Sequence, residues 1–188
     1  TTAKNAASGA AVAIDVETGE VLAMASFPDY DPNDFAVAVS EEKWASLQQE
    51  NPYDPMSPSP MYNTAALTAV QPGSAFKPVT ALAAMSCGLD EKKYLYDDGA
   101  VTLGGRTYGC FLWNEKNETH GYVSLQEALK VSCNYYFFDI AAGKDFASGT
   151  SLDYDRRISN ETITATAKML GLGRKTGIEI EESAGVLP

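Results

Sequence analysis

Residues 71–80 read Gln71-Pro72-Gly73-Ser74-Ala75-Phe76-Lys77-Pro78-Val79-Thr80. The Pro72-Gly73 pair breaks the backbone just ahead of a serine. The apolar, Ala-rich run behind it, Val79 to Met85, has too few turn formers to be anything but a buried helix ending at Gly88. A helix that begins at Ser74 puts Pro78 in or beside its first turn, where a missing N–H costs least. Lys77 then falls three residues on, on the same face as the serine.

A serine hydroxyl is a weak nucleophile until a neighbouring base takes its proton. Lysine becomes that base only when its pKa falls well below the free value of ~10.4. Apolar surroundings desolvate the ammonium, and the positive end of a helix disfavours a cation, so both push the value down. The same helix end favours an oxyanion forming beside Ser74. Ser-Lys pairs are a recognised variant of the serine–histidine arrangement. Spacing alone equally fits a helix cap followed by a surface lysine. A second Ser-x-x-Lys, Ser40 to Lys43, is explained fully in that way, because it opens the polar stretch EEKWASLQQE of residues 41–50. Ser74, by contrast, opens an apolar helix.

Further along, Ser124-Leu-Gln-Glu127 has the form of a capping box, which starts a helix at Leu125 that runs to about Val131. Ser132-Cys133-Asn134 interrupts it, and Tyr135 to Ala142 resumes as a very apolar helix ending at Gly143. An interrupted helix sets a hydroxyl and an amide beside unpaired backbone groups. The hydroxyl can relay a proton and the amide can hold a substrate backbone. Local backbone satisfaction is the competing role for the same two residue types.

Outward from these two elements, residues 10–26 (AAVAIDVETGEVLAMAS) form two short apolar strands joined by a turn at Glu17-Thr18-Gly19, with Asp15 and Glu20 at its polar end. Pro28 and Pro32 end that pattern. The proline-rich stretch NPYDPMSPSPMYN is loop, and residues 90–122 are turn-rich with short strands or irregular structure. A polar region, 144–160, leads to a helix from Glu161 to Leu170, closed by Gly171. The tail GRKTGIEIEESAGVLP is loop with room for one strand.

The 188 residues are enough to bury a core, and a composition 45% hydrophobic and 21% charged is that of a globular protein. A net charge of -11 argues against nucleic acid or an anionic membrane surface as partner. No apolar run is long enough to span a bilayer, and the start TTAKNAASG lacks the apolar stretch of a signal peptide, which leaves an upstream anchor open. Cys87, Cys110, Cys133 and the single His120 lack the spacing of a metal site, so zinc is set aside and the cysteines are read as small buried residues. Asp29-Tyr-Asp31-Pro-Asn33-Asp34 opens like a calcium loop. It fails where glycine and a bidentate Glu are required, at Asp34 and Ser40, and is read as a solvated turn.

Ser74-x-x-Lys77 in the setting PGSAFKP and Ser132-x-Asn134 in the setting SCNYYF, 58 residues apart, resemble the penicillin-binding proteins. VAIDVETGEVLAMASFPDYDPNDF is similar to the first strands and following loop of the class B, monofunctional D,D-transpeptidases, and GYVSLQEALKVSCNYYFF to their elongation-type subgroup. The resemblance implies an α+β, serine β-lactamase-like fold with helices on both faces of a five-stranded antiparallel sheet. Residues 1–30 would supply a strand hairpin of that sheet and residues 31–188 a mainly helical lobe. It implies Ser74 as nucleophile, Lys77 as its base, Ser132 as proton relay and Asn134 as holder of the substrate amide, with no metal or organic cofactor. The implied substrate is a peptidoglycan stem peptide ending in D-Ala-D-Ala. β-Lactams would acylate the same serine, the cell-elongation machinery would be the partner, and the site would lie on the extracytoplasmic face of the bacterial membrane, anchored by a segment outside this chain.

The family's third catalytic element is a strand-borne Lys-Thr/Ser-Gly. Lys175-Thr176-Gly177 follows a helix, only about forty residues beyond Asn134, and matches the family's other Lys-Thr-Gly, a structural turn. The catalytic triplet is expected beyond Pro188, so the chain is read as part of a domain that is inactive alone. A serine β-lactamase, a β-lactam sensor or a non-catalytic interaction module are the other readings of the same motifs.

Overall fold

Asp15 turns the chain back on itself. Its Oδ1 accepts the N–H groups of Glu17 and Thr18 at 2.8 and 2.9 Å, and its own N–H donates to the Glu20 carbonyl at 2.9 Å. The strands so joined, β1 (Gly9–Ile14) and β2 (Val21–Phe27), pair antiparallel with Gly9 opposite Phe27 and Ala13 opposite Ala23. The computed structural model describes residues 6–36, 38–54 and 57–187. The opening TTAKN, Val37, Pro55 and Met56 of the proline-rich stretch, and Pro188 lie outside them. Contacts gather the chain into two compact units, residues 1–70 with 174–185, and residues 71–173 with 186–188.

In the first unit, Ser40 caps α1 (Glu41–Ser46) by accepting the Lys43 N–H, and Lys43 pairs with Asp34 at 2.6 Å. The second Ser-x-x-Lys is thus a cap and a surface ion pair. A one-turn helix, α2 (Thr64–Leu67), follows the proline-rich stretch; four residues are too few for a helical period to announce it. Asn63 caps it and also accepts the Ser26 hydroxyl, fastening the helix to β2. The tail forms no strand among the described residues. Instead the Glu182 carboxylate accepts Thr176 N–H and Oγ1–H at one oxygen and Gly177 N–H at the other. Lys175-Thr176-Gly177 is therefore a loop held by a carboxylate clip.

The second unit opens with a 3-10 turn, Gly73–Phe76, which passes directly into α3 (Lys77–Ser86). Ser74 lies in the 3-10 turn and not in the α-helix. Proline 78 has no N–H to reach the Ser74 carbonyl four residues back, so the Lys77 N–H takes it from three residues away. Short strands follow: β3 (Leu95–Asp97), β4 (Ala100–Leu103) and β5 (Arg106–Gly109). Then come α4 (Phe111–Lys116), β6 (Gly121–Val123), α5 (Leu125–Lys130), α6 (Asn134–Ala142) and α7 (Asn160–Met169). β3 pairs with β6, and β4 with β5. The sequence reading missed α4, whose Trp113 packs on Gly99: a Cβ there would fall 2.3 Å from the indole, and φ is +93°.

Helix α3 packs on α6 and α7. Ala83, Ala84, Ala128, Ile140 and the three cysteines, all free thiols, are fully buried in one core cluster of this unit. Alanines at the contact let the helix axes approach closely, which carries Lys77 on α3 toward the start of α6.

Candidate active site

The capping box is present in full. Ser124 Oγ accepts the Glu127 N–H, and Glu127 Oε2 accepts the Ser124 N–H at 2.8 Å. Six residues later α5 closes in a Schellman turn: Ser132 N–H donates to the Leu129 carbonyl at 3.2 Å and Cys133 N–H to the Ala128 carbonyl at 2.9 Å. Glycine is the usual residue at the left-handed position of this turn. Here it is Ser132, at φ +54°, a conformation that costs an L-residue roughly 1 kcal/mol. Cys133 then caps α6, its Sγ accepting the Tyr136 N–H. The junction leaves the Ser132 carbonyl, its hydroxyl and the Asn134 amide facing one point.

Lys77 Nζ occupies that point. It donates to the Ser132 carbonyl at 2.6 Å, meets Ser132 Oγ at 2.9 Å, and donates to Asn134 Oδ1 at 2.7 Å. Burial of the amine pulls its pKa below the ordinary lysine value. The network accommodates both protonation states. A neutral amine donates to the two pure acceptors and takes the Ser132 hydroxyl proton on its lone pair. An ammonium donates to all three, and Ser132 Oγ turns from donor to acceptor.

Of the four residues singled out in the sequence, the structure brings Lys77, Ser132 and Asn134 together. Ser74 is exposed one 3-10 turn before Lys77, joined to it through the backbone, and its hydroxyl makes no hydrogen bond to Lys77 Nζ. Asn134 Nδ2 likewise has no hydrogen-bond partner among the described residues. The leading N–H groups of the 3-10 turn, Ser74's among them, lack partners within the turn and point out of its N-terminal end.

Behind the junction, Asp97, Cys110, His120 and Cys133 form a buried cluster whose ligand-type atoms all lie within 4.8 Å of one another. Asp97 Oδ2 lies 2.8 Å from His120 Nδ1 and accepts the His120 N–H and the Cys133 thiol, while Oδ1 accepts the Gly99 N–H. Burial pushes the Cys133 thiol up, and the hydrogen bonds to Asp97 outweigh its own burial and hold that carboxyl down. Two thiols, an imidazole and a carboxylate make the donor set of a tetrahedral zinc site. No CxxC spacing announces this cluster, because its members come singly from β3, the start of α4, the loop before β6 and the cap of α6.

Residues 9–188 match the penicillin binding protein transpeptidase domain. The chain is 30% identical over 182 residues to the peptidoglycan D,D-transpeptidase MrdA of Acinetobacter baumannii, covering 96% of this chain and 24% of that protein. Penicillin-binding protein 2 of Helicobacter pylori, solved in complex with MreC, superposes with a TM-score of 0.77 at 26% identity over 98% of this chain and 30% of its own. A penicillin G acyl-enzyme complex of penicillin-binding protein A from Mycobacterium tuberculosis superposes at 0.67 and 29% identity, over 93% and 37%. The chain thus spans about a quarter to a third of the proteins it matches. On its motifs, its fold and these likenesses, the chain belongs to the penicillin-binding protein transpeptidase family, class B.

Proposed function

We propose that the protein carrying this chain is a peptidoglycan D,D-transpeptidase that works through an acyl-serine at Ser74. The observation that carries this reading is the seating of Lys77 Nζ on Ser132 and Asn134, beside an exposed serine one turn away. In free enzymes the contact between nucleophile and base often forms only with substrate present, so the missing Ser74–Lys77 hydrogen bond is compatible with the pair.

Ser74 Oγ attacks the carbonyl between the two terminal D-alanines of a stem peptide, and its proton passes to Lys77 Nζ. The tetrahedral oxyanion sits against the Ser74 N–H. The C–N bond then breaks, and the proton returns from Lys77 through Ser132 Oγ to the departing D-alanine amine. An amine from a neighbouring stem attacks the ester, gives up its proton along the same route, and frees Ser74 with the cross-link made. Asn134 Nδ2, without a hydrogen-bond partner among the described residues, is placed to donate to the substrate backbone. β-Lactams would acylate Ser74 in the same way, as the penicillin G complex of the M. tuberculosis relative illustrates for that protein. A peptidoglycan substrate would support a site on the extracytoplasmic face of the membrane. The MreC complex of the H. pylori relative supports the elongation machinery as partner.

The test uses the whole protein with a stem pentapeptide donor and an amine acceptor. D-Alanine release and a cross-linked product are expected, both lost in Ser74→Ala. Release that persists in Ser74→Ala would contradict the assignment.

A further inference from the structure

Phe137 lies one helical turn beyond Asn134 on α6 and is 5% exposed. Lys77 Nζ stands over its ring, 5.4 Å from the centroid. Asn134 and Phe137, three positions apart, share one face of the helix, so the same face that offers the amine an oxygen also offers it a π cloud. The ring itself is held in place, edge against Tyr136 with centroids 5.9 Å apart.

A buried aromatic wall acts on an amine in two opposed ways. It keeps water away, which favours the neutral form, and its negative face attracts a cation, which favours the charged form. The first effect comes with any apolar side chain of similar size; the second needs the ring. On the neutral amine, the form that acts as base, positive charge appears on Nζ as the Ser74 proton arrives. An interaction with the ring that strengthens at that moment therefore favours the transition state over the neutral-amine enzyme, the condition for raising the rate measured above the pKa of the amine.

We propose that Phe137 is a positioning residue for acylation, seating the Lys77 amine and stabilising the charge that develops on it through the face of its ring. The inference rests on the reading of Lys77 as the base that serves Ser74, and it adds a residue that the serine, lysine and asparagine motifs do not contain. Phe137 acts through Lys77 and touches no substrate atom. A plain core phenylalanine would serve equally well with its π electrons withdrawn; this one would not.

The experiment replaces Phe137 in the whole protein by mono-, di- and trifluorophenylalanine, which drain the ring face while leaving its shape nearly unchanged. The second-order rate of acylation by a labelled penicillin and the melting temperature are measured for each, with Phe137→Tyr and Phe137→Leu alongside. Expected are an acylation rate whose logarithm falls in step with fluorine count, by roughly 3- to 30-fold at the trifluoro stage, an unchanged melting temperature, near-parental rates in Phe137→Tyr and slow acylation in Phe137→Leu. Should Phe137→Leu fail to fold, the fluorinated series decides by itself. A flat series in a protein that labels normally at Ser74 would overturn the role of Phe137 and leave the transpeptidase reading standing. Absence of labelling in the unsubstituted protein would overturn both.

Discussion

Lys77 Nζ donates to Asn134 Oδ1 across 2.7 Å, although 57 positions separate the two residues in sequence. One contact joins the start of α3 to the start of α6, and the Ser132 carbonyl and hydroxyl complete the seat. The position of the amine is therefore set by a helix junction, and anything that loosens the junction should release the amine.

Removing either side of that contact should slow acylation. Lys77→Ala deletes the proposed base, and the second-order rate with labelled penicillin is expected to fall by about 10²–10⁴-fold. Asn134→Ala keeps the base but loses one of its acceptors and the amide offered to substrate. A smaller loss is expected there, carried mostly by weaker pre-acylation binding. Parental rates in both variants would remove Lys77 and Asn134 from the chemistry.

The junction itself can be probed through its backbone. Ser132 sits at φ +54°, where glycine is at ease and a branched side chain is not. Ser132→Gly should fold at least as well as the parent yet acylate slowly, because the hydroxyl proposed as relay is gone. Ser132→Val should lose both stability and activity. Thermal melts and acylation rates, read together, separate the two roles.

A base must be deprotonated to act, so acylation should rise with pH. Because burial lowers the Lys77 pKa, the rise should be centred below the ordinary lysine range of ~10.4. A profile of acylation rate against pH checks this. An inflection at the value of a free lysine would show an exposed amine and contradict the buried seat.

Asp139 gives the folded state a second pH dependence. Burial pushes its carboxyl up to about 7, against the single N–H it receives from Phe146. The unfolded chain ionises this group near ~3.9, so between about pH 4 and pH 7 the folded state holds a proton that the unfolded state has lost. Stability should fall as pH rises through that window and stay lower above it. Asp139→Asn, which keeps the acceptor for Phe146, should flatten the slope in urea titrations at pH 5 and pH 8. An equally steep slope in the variant would assign the effect elsewhere.

The cluster of Asp97, Cys110, His120 and Cys133 makes a prediction of its own. Cobalt(II) added to the whole protein should give the visible and near-ultraviolet absorption of thiolate coordination, raise the melting temperature, and do neither in a Cys110→Ala, Cys133→Ala double variant. No absorption in the parent would show that the four groups serve as a hydrogen-bonded core cluster alone.

Local signals made much of this legible in the sequence. The Glu17-Thr18-Gly19 turn, the Ser40 cap, the Ser124–Glu127 capping box and Gly143 as a helix stop each depend on neighbours within a few residues, and each falls where its chemistry places it. The features that stayed hidden depend on distant partners or on backbone detail. Helix α4 sets Trp113 over Gly99, a contact that no periodicity announces. The start of α3 shifts to Lys77 because of one missing N–H. The Asp97 cluster draws its members from four separate segments, so a search for ligand spacing passes over it. Ser132 in a left-handed turn is the subtlest, since serine gives no hint of a conformation usually left to glycine.

Everything in the mechanism begins with a covalent bond at one oxygen. The most direct measurement treats the whole protein with penicillin G, digests it, and locates the penicilloyl adduct by mass spectrometry. The account predicts a single adduct on the peptide containing Ser74, formed slowly in Lys77→Ala and absent in Ser74→Ala. An adduct on any other residue, or one that forms at full rate without the Lys77 amine, would contradict it.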